Sequence, residues 1–218
     1  MRKIISFVFA LLVAVTVSSQ SFRLSLEPGY GFYNMGKLHQ LQEAGVNFYP
    51  GLGIKEVEKF PPFFNESGSI LWYAKPNFLI GLTTGFLSTG ARNSVKDYSG
   101  EYKLDMLVHA NLYGMESEYN LQLKHNLKYF MNLKAGVISS TNDYNEYFVV
   151  SNTTLINDTE KNKESNLFIE PSTGIRYSLN KSFSLSVGVG YFIDFSANTT
   201  KSTNWSGCRL KSGVAYSL

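Results

Sequence analysis

A single cysteine, Cys208, excludes an internal disulfide, so the fold must hold without one. Histidines number three, at 39, 109 and 125. Their wide separation excludes HExxH and other paired-ligand zinc sites. No G-x-S-x-G elbow, P-loop or dinucleotide fingerprint is present, and no cofactor is expected. Beyond the first twenty residues no apolar run is long enough for a membrane helix, which needs about 20 residues. Charge of one sign is also missing. Of 20 basic residues, Arg2 and Lys3 sit at the extreme N-terminus, leaving 18 against 17 acidic ones. That near-balance gives no electrostatic case for nucleic acid. Proline is scarce, whereas glycine (18) and aromatics (15%) are abundant, a balance that favours sheet over helix.

The first residues, "MRKIISFVFALLVAVTVSSQ", combine a basic start, an apolar run from Ile4 to Val17 and small residues before Gln20. This is the pattern of a secretory signal peptide over residues 1–19, leaving 20–218 as one domain. Five N-x-S/T matches occur, at Asn65, Asn152, Asn157, Asn198 and Asn204. Chance matches are common in segments this rich in Asn, Ser and Thr.

The rest of the chain alternates. In "SFSLSVGVGYFIDF", Phe183, Leu185, Val187, Val189, Tyr191, Ile193 and Phe195 share one face of a strand. The same period runs through 22–32, 78–86, 127–137, 167–179 and 208–218, and more weakly near Trp72 and near Tyr113 to Tyr119. Eight strands result. Long connections are expected at 36–63, 89–103 and 140–165, and a shorter one at 196–204. Tight turns are expected near Pro76, around Leu123 and at Asn180-Lys181. A meander whose two rims differ in this way predicts an all-β, eight-stranded, antiparallel up-and-down transmembrane barrel. Met35, Leu38, Leu41 and Ala44 recur at helical spacing in the first long connection, with Gly45 a possible stop. Pro28 and Pro171 suggest bulges, since a closed barrel has no edge to accept proline.

The companion faces carry small residues, such as Ser184, Ser186, Gly188 and Gly190, and charged ones. Those charged residues are Arg23, Glu27, Glu116, Glu118, Lys128, Lys134, Glu170, Arg176, Asp194, Arg209 and Lys211. With the apolar face turned to lipid, these fill a narrow lumen with nearly balanced charge, and buried charges must pair. The candidate lumen ion-pair residues are Glu27, Glu118, Lys128, Lys134, Glu170, Arg176 and Arg209. A turn centred on Leu123 sets Glu118 opposite Lys128, and Lys134 and Glu170 are expected at one depth. Near the tight-turn rim, every strand offers an aromatic on its apolar face: Phe22, Trp72, Phe78, Tyr119, Tyr129, Tyr177, Phe183 and Tyr216. Phe32, Phe86, Tyr113, Tyr191 and Phe195 suit the opposite rim. Such girdles mark the two interfaces of a membrane barrel.

The stretches "LSLEPGYGFYNM", "NFLIGLTTGFLSTG", "DYSGEYK" and "NWSGCRLKSGVAYSL" resemble the small outer-membrane β-barrel proteins of Bacteroidetes-type bacteria, with an architecture similar to OmpA/OmpX-type barrels. The resemblance implies an outer-membrane location, lipid as surroundings and insertion by the barrel-assembly machinery. That machinery usually meets a terminal aromatic. Here Leu218 is last, Tyr216 stands two before it, and Ser212 interrupts the alternation. The expected function is structural or binding through the long connections, with no open pore and no enzyme activity. Tyr98, Tyr102, Tyr144, Tyr147 and Phe148 are candidate exposed contacts for an extracellular ligand. Two alternatives remain. One is a soluble lipocalin-like barrel with an apolar lumen. The other is a lipid-modifying barrel enzyme built from His39 or His109 with Asp97, Asp105 or Ser94. No metal site is expected; Asp143, Glu146, Asp158 and Glu160 offer oxygens to Ca²⁺ but lack EF-hand spacing.

Overall fold

Strict alternation gives each strand one apolar and one polar face, and a sheet of such strands hides one face completely only by closing on itself. The computed structural model describes residues 22–33, 35, 37–47, 54, 61, 63–151, 153–196 and 203–218. The expected signal peptide lies outside them. The elements are β1 (Phe22–Gly31), α1 (Lys37–Asn47), β2 (Phe63–Lys75), β3 (Phe78–Lys96), β4 (Gly100–Lys124), β5 (Leu127–Val150), β6 (Thr153–Ser178), β7 (Phe183–Asp194) and β8 (Gly207–Ser217). Each strand pairs antiparallel with the next. β8 returns to β1 through pairs such as Leu24↔Tyr216 and Tyr30↔Leu210, closing an eight-stranded up-and-down barrel.

The apolar stripes point outward. Leu26, Leu82 and Val187 are 61%, 58% and 69% exposed, while Arg23, Glu118 and Arg176 are buried inside. The aromatics near the tight turns fall into a girdle. Phe22 lies opposite Trp72, Phe78 opposite Tyr119, and Phe183 opposite Tyr216 with ring centroids 4.9 Å apart. Tyr129 and Tyr177 stand next to aliphatic partners, Leu121 and Leu127. From Phe183 to Phe195 the chain advances twelve residues. At ~3.3 Å per residue and ~40° tilt this spans roughly 30 Å, about the thickness of a bilayer's apolar layer.

Two of the expected long connections are not loops. Residues 89–103 and 140–165 continue the ladders: β4 pairs with β5 from Lys124↔Leu127 to Gly100↔Val150, and β5 pairs with β6 as far as Val150↔Thr153. Strands β3 to β6 therefore stand above the ring as a wall. Ser151 N donates to Ser99 O (2.8 Å) and joins its two hairpin tips. An apolar stripe marks a strand only where lipid or a core faces it. The wall's outer face meets water, so its alternation is hidden among polar residues. β2 likewise starts at Phe63 rather than near Ile70.

The prolines do not create bulges. Leu26↔Val214 and Gly29↔Lys211 keep one register across Pro28, as do Ile169↔Ile193 and Ser172↔Gly190 across Pro171. The ladder lapses where the N–H is missing and resumes with no extra residue. Register shifts fall instead at Tyr73/Lys75, Gln122/Lys124 and Phe148/Val149. α1 runs past Gly45 to Asn47. Before it, Met35 adopts φ +50° and is fully buried, its N–H donating to Asn204 O at 2.9 Å. Of the N-x-S/T positions, Asn65 is buried and its amide donates to Tyr33 Oη (3.2 Å), which leaves no access for a glycan. Asn152 and Asn198 lie outside the described residues.

Candidate functional site: a filled lumen and a projecting wall

Charged side chains in a narrow tube must find partners across it, because water cannot solvate them there. At the tight-turn end, Glu118 receives both Arg23 (2.9 Å) and Arg176, whose Nη2 donates to Glu118 Oε2 at 2.9 Å. Arg176 also donates to Asn120 Oδ1 (3.2 Å) and lies over the Phe130 ring, 4.9 Å from its centroid. That ring fits because Gly174 and Gly188 face it; a Cβ on Gly174 would come within 2.7 Å of Phe130 Cζ. One level outward, Lys134 reaches Glu27 at 2.7 Å, Ser67 Oγ at 3.1 Å and Glu116 at 3.7 Å. Glu116 also accepts hydrogen bonds from Ser69 and Asn132. Glu170 takes Lys211 at 2.5 Å and Arg209 at 3.4 Å.

The network differs from the expected pairs in two ways. Glu118 lies opposite Asn132, and Lys128 lies opposite Gln122 and Arg176, because the turn is centred two residues later than Leu123, at His125. A shift by two keeps every side chain on its face, so Glu118 stays inside and finds arginines instead. Lys134 and Glu170 are directly opposite on β5 and β6. Each nevertheless bonds elsewhere: Lys134 to Glu27 on β1 and to its other neighbour Glu116 on β4, and Glu170 to Arg209 and Lys211 on β8.

The outer half of the lumen is filled mainly by an apolar cluster with a few buried polar groups beside it, not by the expected charged side chains. Tyr33, Met35 and Leu38 descend from the first connection. They meet Leu87, Met106, Val108, Ile138, Phe168, Phe192 and Trp205 in an apolar plug. Trp205 is fully buried. Its N–H groups donate to Ser140 Oγ (2.8 Å, from Nε1) and Asp194 Oδ2 (3.1 Å, from the backbone), and Tyr33 meets it edge-on at 4.9 Å. Arg209 marks the boundary: its guanidinium carbon is 3.8 Å from the Phe192 ring centroid while its Nη1 serves Glu170. A signal for this plug does exist in the sequence. Leu104, Met106, Val108, Ala110 and Leu112 alternate inward, directly after the expected 89–103 connection.

The wall has its own two faces. Tyr102 is fully buried and Tyr144 and Phe148 half-buried on the inner face, so only Tyr98 and Tyr147 remain as exposed aromatics. The alternation of a strand, absent from a loop, decides this. The four acidic residues Asp143, Glu146, Asp158 and Glu160 all border one cavity of about 260 Å³ floored by Leu38, Met106, Val108 and Tyr144. Asp143 also lies 3.0 Å from Lys161. Glu146 is held by the hydroxyls of Tyr102 (3.1 Å) and Tyr144 (3.2 Å). Among the described residues no group of three His, Cys, Asp or Glu side chains is placed to hold a metal ion.

The drafted catalytic groups are not brought together. Asp97 closes the β3–β4 tip, accepting from Ser99 N, Ser99 Oγ and Gly100 N at 2.7–3.0 Å. These bonds, Ser99's hydroxyl foremost, hold its carboxyl below the usual aspartate range. Asp105 is paired with Arg92 (2.5 Å) and Lys103 (2.9 Å). Partial burial opposes ionisation there, but the two cations prevail and lower its pKa. His109 stacks on Phe86, with centroids 5.8 Å apart. The side chain of His39 lies outside the described residues.

No family model matches the chain, and no curated relative matches it in sequence. Solved structures match it in shape. A major outer membrane protein from Thermus thermophilus aligns at TM-score 0.50 and 12% identity, over 90% of this chain and 99% of that one. The fold is that of an eight-stranded outer-membrane β-barrel. Ail, the attachment invasion locus protein of Yersinia pestis, aligns at TM-score 0.48 and 8% identity, over 92% and 100% of the two chains. Neisserial surface protein A aligns at 0.44 and 10%, over 90% and 96%. Such a barrel sends short turns to the periplasm and longer connections outside.

Proposed function

We propose that the protein is a non-enzymatic, integral outer-membrane barrel whose lumen is closed and whose outer wall binds a partner outside the cell. One observation carries this reading. The ionic side chains are buried and paired in the tube's middle, while Leu, Val and Ile stripes bounded by aromatic girdles look outward. A soluble carrier needs the opposite arrangement, an apolar lumen inside a polar surface. The resemblance of its quoted stretches supports a place among Bacteroidetes-type barrels, delivered by a cleaved signal and inserted by the barrel-assembly machinery. The partner would meet the exposed tip around Tyr98 and Tyr147.

The test is direct. The mature chain should require detergent, migrate faster unheated than heated on a gel, and give no conductance steps in a planar bilayer. Detergent-free solubility would sink the barrel reading, and stable ion-conducting steps would sink the closed lumen.

A further inference from the structure

A strand with neighbours on both sides spends its backbone N–H and C=O groups in two ladders, whereas a strand at an edge leaves one set unpaired. β6 pairs with β7 from Ser178↔Ser184 to Phe168↔Asp194, and Phe195 N donates to Leu167 O at 3.0 Å. Beyond that point, over residues 153–166, β6 pairs with β5 alone among the described residues. Alternation fixes which groups are open. Leu167 turns its carbonyl toward β7, so residues 159, 161, 163 and 165 turn their N–H and C=O to the same side, where no described strand meets them. An unpaired edge of this kind binds extended backbone.

The inward face beside this edge is acidic. Phe168 is buried inside, so by period two Asp158, Glu160 and Glu164 share its face. On the inward face of β3 to β6 above the plug, no described residue is Lys, Arg or His. The cavity over Leu38, Met106 and Val108 lies on this face. Glu146 stands in it, directly opposite Asp158 across the β5–β6 ladder, with Tyr102 donating to one of its carboxylate oxygens and Tyr144 to the other. Asp158 is exposed and has no hydrogen bond or ion pair among the described residues. A fixed carboxylate over an apolar floor fits an arginine side chain, whose methylenes cover the floor and whose guanidinium meets the acids. β3, the other edge of the wall, lacks this chemistry, since its inward residues there are Ala91, Asn93 and Val95.

We propose that the β6 edge and the adjoining cavity bind an extended peptide strand, antiparallel to β6, with basic side chains at alternate positions. The inference rests on the reading of the wall as the binding surface and names the class of its partner, whose contact runs from the tip down β6. The edge selects backbone, and the acids select arginine or lysine on every second residue. A second copy does not satisfy both. Antiparallel β6 strands from two copies would put Asp158 and Glu160 of each on one face of the joined sheet, like charge beside like. Copies in one membrane also send β6 in the same direction, which excludes an antiparallel pair about a two-fold axis along the membrane normal.

Fluorescence anisotropy with the full mature chain in detergent tests this. The probe is a short labelled peptide of alternating arginine and threonine. Its comparators are a peptide of the same composition with the arginines in one block, and an alternating glutamate-threonine peptide. The alternating basic peptide should bind about tenfold tighter than the block peptide, and the acidic one should not bind. With the arginines over the inward face, the threonines turn their N–H groups to β6. N-methylation of the threonines should therefore abolish binding, and N-methylation of the arginines should leave it. Glu146→Gln should weaken binding about tenfold, the worth of a charged hydrogen bond. Thr159→Pro, which removes an edge-facing N–H and no bond to β5, should weaken it as well. Equal binding of the alternating and block peptides, equal effects of the two N-methyl patterns, or an unchanged Glu146→Gln variant would overturn the proposal. So would a dimer that the peptide dissociates, since a second copy would then hold the edge. The unheated gel shift separates the levels. A chain that shows no shift loses the barrel reading and this site together. A shifted chain that binds no peptide, carried by cells that still attach to their surface, loses this site and keeps the wall's binding role.

Discussion

Lys134 shows how a single residue ties the lumen's charges together. Its ammonium is the link between Glu27 and Glu116, both buried. Lys134→Met keeps the volume but leaves two carboxylates without their cation. Breaking a buried pair this way costs about 3–5 kcal/mol, which denaturant titration of the refolded barrel should read as a lower midpoint. A change under about 1 kcal/mol would mean that water reaches the lumen and screens the glutamates. Asp97 makes the complementary point in solvent. Its folded pKa is depressed, so the tip gains stability above the ordinary aspartate value of 3.8 and loses it as pH falls through the lower folded value. Amide exchange at Ser99 and Gly100 should therefore accelerate, relative to unstructured amides, only below about pH 4. Acceleration beginning near pH 6 would point to another group.

At the scale of elements, β7 separates the two environments most cleanly. Val187 lies midway between Phe183 and Tyr191 and faces outward, while Ser186 beside it is buried. Val187→Arg should cost about 2–4 kcal/mol at the bilayer midplane, measured by refolding into lipid vesicles. Tolerance of arginine there would reverse the assignment of faces. The wall is the second case. β4, β5 and β6 run far past the ring, yet their outer halves pair with one another rather than with β7 or β8. Replacing residues 143–161 with a short turn should leave the unheated gel shift intact and, on the binding role proposed above, abolish attachment of cells carrying the protein to a surface that the full chain binds. Loss of the shift itself would mean that the wall is needed for the barrel to close.

The whole molecule has three storeys. The half of the lumen near the tight turns is ionic, the other half is an apolar plug under α1, and the wall stands above both. Arg209 joins the first two, with Phe192 against its guanidinium and Glu170 at its tip. Trp205 fills the plug, and Trp205→Ala should cost about 3–5 kcal/mol, the usual loss for a buried aromatic, read in the same denaturant titration. On the closed-lumen reading proposed above, the plug keeps the channel shut independently of the ion pairs. Lys134→Met should remain silent in a planar bilayer although it is less stable, and conductance steps in that variant would show that the ion pairs alone close the lumen.

Period-two patterning determined the strand count, the face of each residue and the girdles, because lipid on one side and a crowded tube on the other leave opposite marks on alternate positions. Glu118, Lys134, Glu170, Arg176 and Arg209 were all legible as inward residues on that ground. Only the tertiary structure decided which charges meet. Partners across a lumen depend on turn position, as the shift from Leu123 to His125 shows, and on side chains reaching between strands far apart in sequence. It alone also revealed the wall and the apolar plug. The wall's outer face meets water and so leaves no apolar stripe, while the plug's alternation from Leu104 to Leu112 is present in the sequence but is completed by Tyr33, Met35, Leu38 and Trp205 from distant connections.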